Sequence, residues 1–211
     1  MDNDIRTLRN MRFTLGVYTV MSWGWGFFIM EVIEGVPQAL AVLLPLVLAL
    51  PLLFLTLQFS TYLRGLAGPR LFASSRVVWL YITGNAVTLV GFVLANVIAR
   101  VIHHPEYAVP GALLALGLHF LFIALAFQET RAYLTLAVFC LTALLVPLTV
   151  PLTGTIGPLT LIPDAGGWTV AISLVSLVWF WLVTAYILVR GGRISREIQA
   201  TGSKLTETAQ A

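Results

Sequence analysis

The sequence predicts an all-α integral membrane protein, a bundle of six transmembrane helices with both chain termini in the cytoplasm. Of its 211 residues, 59% are hydrophobic and only 10% are charged, whereas a soluble domain carries about 25% charged residues. Six apolar segments are long enough to cross a bilayer, and most basic residues fall in alternate connections between them. Because so few charged residues cannot cover the surface of a protein in water, the composition excludes a soluble globular enzyme.

The six predicted spans contain no Asp, Glu, Lys or Arg. A span needs about 20 mainly apolar residues to cross a hydrocarbon core of about 30 Å, and backbone groups in lipid must be hydrogen-bonded internally, which favours helices. The first segment follows a basic stretch, as in a signal peptide, but its length and the lack of a small-x-small cleavage site predict a retained helix. The predicted spans are residues 13–30, 38–60, 77–99, 110–127, 132–152 and 168–189, between tails at 1–12 and 190–211.

The basic residues predict the orientation of these spans. Eleven of the twelve lie in the N-terminal tail, the second and fourth connections and the C-terminal tail, which share one side of the membrane, and only Arg100 lies on the other side. Cytoplasmic segments of membrane proteins carry an excess of Lys and Arg. We therefore predict a multi-pass protein of the cytoplasmic (plasma or inner) membrane with both termini inside.

Two halves of three spans each would have opposite orientations, as in inverted-repeat transporters. Pro51 in the second span and Pro147 in the fifth lie 13 and 15 residues after the starts of their spans. Because proline frees a carbonyl and bends a helix, paired prolines in matching halves can mark a 3+3 inverted repeat with a site near the bilayer midplane. The favoured interpretation is that these prolines are ordinary features of membrane helices, and the inverted repeat is the alternative.

His119 is the only histidine inside a predicted span. Ionisable side chains in the bilayer are candidate functional residues, and a neutral imidazole can relay a proton or bind a ligand. Asn85 and Asn96 lie 11 residues apart, about three helical turns, so they share one face of the third span. The favoured interpretation is that these groups hydrogen-bond between helices, where each bond contributes about 0.6–2 kcal/mol to packing, and a substrate or proton pathway is the alternative.

The first span is rich in glycine around Trp23 and Trp25. Small residues let helices approach closely, which favours helix packing as their role. An aromatic pocket for a flat or cationic ligand is the alternative, because indole faces attract cations. The candidate ligand or pathway residues are therefore Trp25, His119, Asn85, Asn96, Pro51 and Pro147.

Carboxylates and imidazoles also gather on the predicted outer side. Glu31 and Glu34 are spaced i, i+3 at the end of the first span, and His103 and His104 lie in the third connection. Carboxylate and imidazole side chains commonly bind metals, but the spacing of these four residues matches no zinc motif. A solvated rim is the favoured interpretation and a divalent-cation site is the alternative. We predict no resident cofactor.

Sequence motifs do not specify a reaction. The chain contains no Walker motif, no HExxH and no Gly-x-Ser-x-Gly. The leading hypothesis is a small transporter or channel-like protein for a small neutral or weakly polar solute, because no fixed charge lies at the midplane. The alternatives are a non-catalytic accessory or scaffold subunit and, third, a membrane-embedded lipid-modifying enzyme. Expected partners are the lipid bilayer and either further copies of the chain or a larger membrane complex, and not nucleic acid.

Overall fold

The computed structural model describes residues 2–63, 74–152, 155–156, 159–161 and 166–210. Six α-helices in this part of the chain are long and apolar enough to cross a membrane, which confirms a multi-pass helical membrane protein. They are α1 (Asp2–Glu31), α2 (Gln38–Leu63), α3 (Ser75–Val101), α4 (Ala108–Phe127), α5 (Thr130–Thr149) and α6 (Gly166–Gln210). A short 3₁₀ turn, Pro105–Tyr107, precedes α4.

The helices and the predicted spans differ mainly at their ends. Helix α5 ends at Thr149, three residues before the predicted end of the fifth span at 152. The next residue, Val150, is extended, with φ −109° and ψ 132°, because the ring of Pro151 disfavours helical backbone in the residue before it. Helices α1 and α6 continue into the stretches predicted as tails.

Contacts between helices define a central group and two outer helices. Helix α1 packs against α2 and α6, α4 packs against α3 and α5, and α5 packs against α6. Helix α2 contacts mainly α1, and α3 contacts mainly α4. The outer position of α3 agrees with its burial, since Val77, Gly84 and Ala99 are its buried residues.

Aromatic side chains fill the middle of the bundle. Phe139 and Phe180 are fully buried, and their ring centroids lie 5.6 Å apart in an edge-to-face arrangement. Phe120 packs edge-on against Phe139 at 5.6 Å, and Tyr18 lies 4.6 Å from Phe180. Each of these four rings comes from a different helix, so the cluster joins α1, α4, α5 and α6 through dispersion contacts.

Small residues set the close approach of α3 to α4. A Cβ placed on Gly91 would lie 2.5 Å from the Cβ of Ala115, and one on Gly111 would lie 2.8 Å from the Cβ of Ala95. Helices in lipid associate through such close packing, because lipid chains leave little hydrophobic driving force between helices. Helices α3 and α4 therefore lie so close together that any larger residue at Gly91 or Gly111 would clash with the other helix.

At the end of the bundle opposite the termini, the segments that connect the helices hydrogen-bond to one another. Two-residue strands, Thr155–Ile156 and Leu159–Thr160, pair antiparallel between α5 and α6. The backbone N–H of Glu34, between α1 and α2, donates to the carbonyl of Thr160 at 3.0 Å. Trp168 donates through Nε1 to the carbonyl of Val150 at 2.8 Å and fixes the start of α6.

Candidate functional site

A cavity of about 630 Å³ opens at the end of the bundle that holds both termini. It lies where α1 begins, α4 turns into α5, and α6 leaves the bundle. We call it the arginine pocket, because three arginines and one carboxylate are found among the described residues that line it. Its polar and aromatic residues include Arg6, Asn10, Glu129, Arg131, Trp179, Tyr186 and Arg190.

The turn between α4 and α5 supplies the two central charges. Gln128 adopts a left-handed conformation with φ 55°, which ends α4 and reverses the chain at once. Glu129 is extended at the N-cap position of α5. The tight turn holds Glu129 and Arg131 close to the bundle, where their side chains are only 18% and 14% exposed.

Glu129 is held by two partners. Arg131 donates through Nε to Oε2 at 2.9 Å and also through Nη2 to the same oxygen. Asn10, from α1, donates through Nδ2 to Oε1 at 3.3 Å. Within the described residues, Arg131 Nη1 and Asn10 Oδ1 are buried without a hydrogen-bond partner. One donor and one acceptor beside the pocket are thus left unsatisfied by its own side chains, which is unfavourable for buried polar atoms.

Two guanidinium groups share one aromatic ring on α6. Arg131 lies 5.7 Å and Arg190 lies 5.9 Å from the centroid of the Tyr186 ring. Arg190 also donates through Nη1 to the Tyr186 hydroxyl at 2.6 Å. With Arg6, the described residues that line the pocket carry three positive charges and one carboxylate. The electrostatic potential of the pocket therefore favours an anion.

Buried hydroxyl groups hold one aromatic side chain of the pocket lining, Trp179, in place. Thr135 is fully buried and donates to the carbonyl of Arg131 at 3.0 Å. Its Oγ1 accepts from Trp179 Nε1 at 2.9 Å and lies 3.2 Å from the Tyr18 hydroxyl. Since the one Thr135 proton is used on the carbonyl, Tyr18 is the donor in the last pair. This network fixes the ring of Trp179 beside the arginines.

The arrangement suits binding better than catalysis. Guanidinium groups recognise carboxylates and phosphates through paired, charge-assisted hydrogen bonds. Apolar side chains of Leu134, Leu182 and Val183 line the same pocket and can contact an apolar part of a ligand. Its volume lies in the range of about 300–1,000 Å³ that is typical of small-molecule sites.

Comparison with protein-family models, with curated proteins and with solved structures finds no match to this chain.

His119, the central candidate from the sequence, is 5% exposed and lies between α4 and α3. Its ring is edge-on to Tyr81 and to Phe120, with centroid distances of 6.2 Å and 5.8 Å. A Cβ on Gly84 would lie 3.2 Å from Nδ1, which is buried without a hydrogen-bond partner in the described part of the chain. His119 does not line the arginine pocket.

The other candidate pathway residues lie apart from His119. Asn85 and Asn96 are exposed on α3, and their Nδ2 atoms donate to the carbonyls of Tyr81 at 2.8 Å and Phe92 at 2.9 Å. Trp25 is buried in the core at 7% exposure, with Phe28 near its ring. Pro51 and Pro147 lie within α2 and α5. The described residues therefore contain no single pocket that unites this set.

Among the described side chains that the sequence predicts on the outer side, His104 and Glu106 form a pair. His104 Nδ1 lies 2.7 Å from Glu106 Oε1. His103 is exposed in a left-handed turn with φ 59°, Glu34 is exposed, and Glu31 is the last residue of α1. Across the residues that the structure describes, no three potential metal ligands come together. Asp164, which the sequence places in the fifth connection between spans, lies outside those residues.

In the distribution of basic residues, Arg131 serves only as a marker of orientation, and Glu129 has no part in it. Only residues 128–131 separate the fourth and fifth predicted spans, and two of these four are oppositely charged. Such a short connection keeps both charges at the membrane boundary between two helices. This signal was sufficient to find the ion pair, whereas Asn10, Trp179 and Tyr186 are brought to it only by tertiary structure.

Proposed function

We propose that the protein is a small transporter or channel-like protein that binds a small organic anion in the arginine pocket. The observation that carries the proposal is the largely buried Arg131 guanidinium, whose Nη1 has no partner among the described residues, beside two further arginines. The sequence alone favoured a neutral or weakly polar solute. The arginines favour a carboxylate or phosphate instead, because guanidinium groups match the geometry of both.

Buried hydroxyls on α6 support movement of the ligand beyond the pocket. Ser173, Ser176 and Thr184 are almost completely buried, and their oxygens have no hydrogen-bond partner in the described part of the chain. They extend over 11 residues of α6, about 16 Å of helix. A buried hydroxyl without a partner is unfavourable, so these groups can offer successive hydrogen bonds to a polar solute. The Phe139–Phe180 cluster closes the bundle, as expected for a state open at one end.

The pairing of helices supports the proposed 3+3 inverted repeat. If α1, α2 and α3 correspond to α4, α5 and α6, the α1–α2 contact corresponds to the α4–α5 contact, and the α1–α6 contact to the α4–α3 contact. The correspondence is incomplete, because α5 packs on α6 while α2 and α3 make at most marginal contact in the described residues. Inverted repeats are typical of transporters that alternate between two open states.

We further propose that the arginine pocket faces the cytoplasm of a cell whose plasma membrane holds the protein. The support is the distribution of basic residues, which concentrate at the end that holds both termini. Alkaline phosphatase is active only outside the cytoplasm. A fusion of this enzyme after the last residue should therefore be inactive, and an active fusion would contradict the proposed orientation.

We expect phenyl anions to stabilise the purified protein and matched neutral or cationic compounds not to do so. Benzoate, phenyl phosphate, benzyl alcohol and benzylamine share one ring and differ in charge. A ligand that binds only the folded state raises the free energy of unfolding by about 2.7 kcal/mol at a hundred times its Kd. Thermal denaturation with each compound measures the effect. Equal stabilisation by benzylamine and benzoate would exclude an anion site.

Transport is tested separately from binding. Proteoliposomes should take up labelled phenyl phosphate faster than protein-free liposomes, because this anion crosses lipid slowly by itself. Uptake should be inhibited by benzoate. Binding without uptake would support the anion site and contradict transport. The absence of both binding and uptake would contradict both proposals.

We propose that two copies of the chain form a dimer through the exposed face of α3. Asn85, Leu89, Phe92 and Asn96 are exposed at i, i+4, i+7 and i+11, the spacing of a helix–helix seam. A two-fold axis along the membrane normal places each asparagine opposite its own copy. An amide has both a donor and an acceptor, so such a pair is self-complementary, and it avoids an amide exposed to lipid.

In a Cys140→Ala background, Asn85→Cys should form disulfide-linked dimers in the membrane. Leu94→Cys is the matched control, since Leu94 is also exposed but lies nine residues further on, about half a turn around α3. Non-reducing electrophoresis after mild oxidation measures the product. Equal cross-linking at both positions, or none at either, would contradict the dimer.

A further inference from the structure

A groove between α1 and α2 lies apart from the arginine pocket. Its volume is about 860 Å³, and its lining includes Arg9, Arg12, Gly16, Val20 and Met21 of α1 and Leu57 of α2. Val20 is 65% exposed and Leu57 is 56% exposed. The groove therefore opens sideways from the bundle, toward the lipid that surrounds a membrane protein, and not into the core.

The polarity of the groove changes along its length. Arg9 and Arg12 are spaced i, i+3, so they lie on one face of α1 at the end that holds the termini. Beyond them the α1 wall is apolar as far as Met21. The distance from Arg9 to Met21 is twelve residues, about 18 Å along the helix. This is slightly more than half of a hydrocarbon core of about 30 Å, the depth that one lipid leaflet occupies.

The described α2 side of the groove is apolar in effect, because its hydroxyl groups donate to backbone carbonyls of their own helix. The hydroxyl of Thr56 donates to the carbonyl of Leu52 at 2.8 Å, and that of Ser60 donates to the carbonyl of Thr56 at 2.7 Å. Both hydroxyls are thus used within their own helix. Among the described residues that line the groove, none is acidic. The ligand that fits is an amphiphile with a negative head and one extended apolar chain.

We propose that this groove binds one anionic phospholipid, with its phosphate at Arg9 and Arg12 and an acyl chain along Gly16, Val20 and Met21. Basic sites between transmembrane helices recognise anionic lipid headgroups through the same chemistry. Gly16 leaves the room for the chain, since a Cβ there would lie 3.9 Å from Thr56 Cγ2 and a longer side chain would project into the groove. The site is independent of the ligand in the arginine pocket.

Native mass spectrometry of the protein, released from nanodiscs, tests the proposal. The nanodiscs contain equal amounts of phosphatidylglycerol and phosphatidylcholine with identical acyl chains. We expect one phosphatidylglycerol to be retained with a preference of more than about tenfold over phosphatidylcholine. The double variant Arg9→Gln/Arg12→Gln should lose this preference. The double variant Arg193→Gln/Arg196→Gln, which removes the same charge from α6 outside the groove, should keep it.

Two further variants test the acyl-chain part of the site. Gly16→Leu should reduce retention of both lipids, and Val20→Trp should do the same from an exposed position where folding is least disturbed. Loss of preference in the α6 control as well would reduce the effect to general surface charge and overturn the proposal. Unchanged retention in a folded Gly16→Leu or Val20→Trp protein would also overturn it. Glycerol phosphate should not displace the bound lipid; displacement would indicate a site for free phosphate.

Discussion

Arg131→Gln should lower the affinity for benzoate by about 10- to 100-fold, which isothermal titration calorimetry of the purified protein can measure. Glutamine keeps hydrogen-bonding capacity but loses the positive charge and the planar fork of the guanidinium group. Hydrogen bonds to charged groups contribute about 1.5–3 kcal/mol each, which corresponds to this range of affinity. The effect should be largest at this position because Arg131 is largely buried, whereas Arg6 and Arg190 are exposed at the rim.

Three control variants separate binding from folding. Arg131→Lys keeps the charge without the fork and should bind with intermediate affinity. Arg193→Gln, on α6 outside the pocket, should bind like the wild type. Because Arg131→Gln leaves the Glu129 carboxylate without its cation, Arg131→Gln/Glu129→Gln should restore thermal stability and still bind weakly. Wild-type affinity in this double variant would exclude Arg131 as the anion ligand.

Gly91→Leu should destabilise the protein by about 3 kcal/mol or more, since overpacking of a close contact costs about 1–3 kcal/mol and a leucine adds three carbons beyond the first clash. The Cβ alone would lie 2.5 Å from the Cβ of Ala115, a distance that requires α3 to move away from α4. Both helices present backbone and small side chains at this level, so no flexible side chain can yield. Thermal denaturation in detergent measures the loss.

Gly24→Leu is the matched control for this effect. Gly24 also lies inside a transmembrane helix, but a Cβ placed on it has nothing within 4 Å. Replacement of a helical glycine removes an unfavourable backbone entropy of about 1 kcal/mol. Gly24→Leu should therefore leave the stability unchanged or raise it slightly. Similar losses for both variants would show that the α3–α4 approach is not the cause.

The helices were predictable because the lipid environment imposes a simple rule. Continuous apolar runs without charged residues must be helical, and all six predicted spans overlap a helix in the structure. The end of α5 was missed because the run stays apolar past Thr149, while the backbone restriction before Pro151 stops the helix. Hydropathy does not record that local steric effect.

The candidate site was less predictable, because its parts are distant in the sequence. Asn10 and Glu129 are 119 residues apart, and Thr135 and Trp179 are 44 residues apart. Hydropathy and residue spacing do not indicate which distant residues contact each other in the folded chain. The intramembrane polar residues were visible in the sequence, but not whether each faces the core or the outside. His119 is buried between helices, whereas Asn85 and Asn96 are exposed on the outer face of α3.

The central claim is that an anionic ligand occupies the arginine pocket, and a structure of the protein with 4-iodobenzoate tests it most directly. Iodine is located by its anomalous scattering, so the position of the ligand does not depend on interpretation of its shape. We predict iodine density within the pocket, with the carboxylate at Arg131 and the ring beside Trp179 or Tyr186. An empty pocket at saturating ligand, or iodine density only at another site, would contradict the claim.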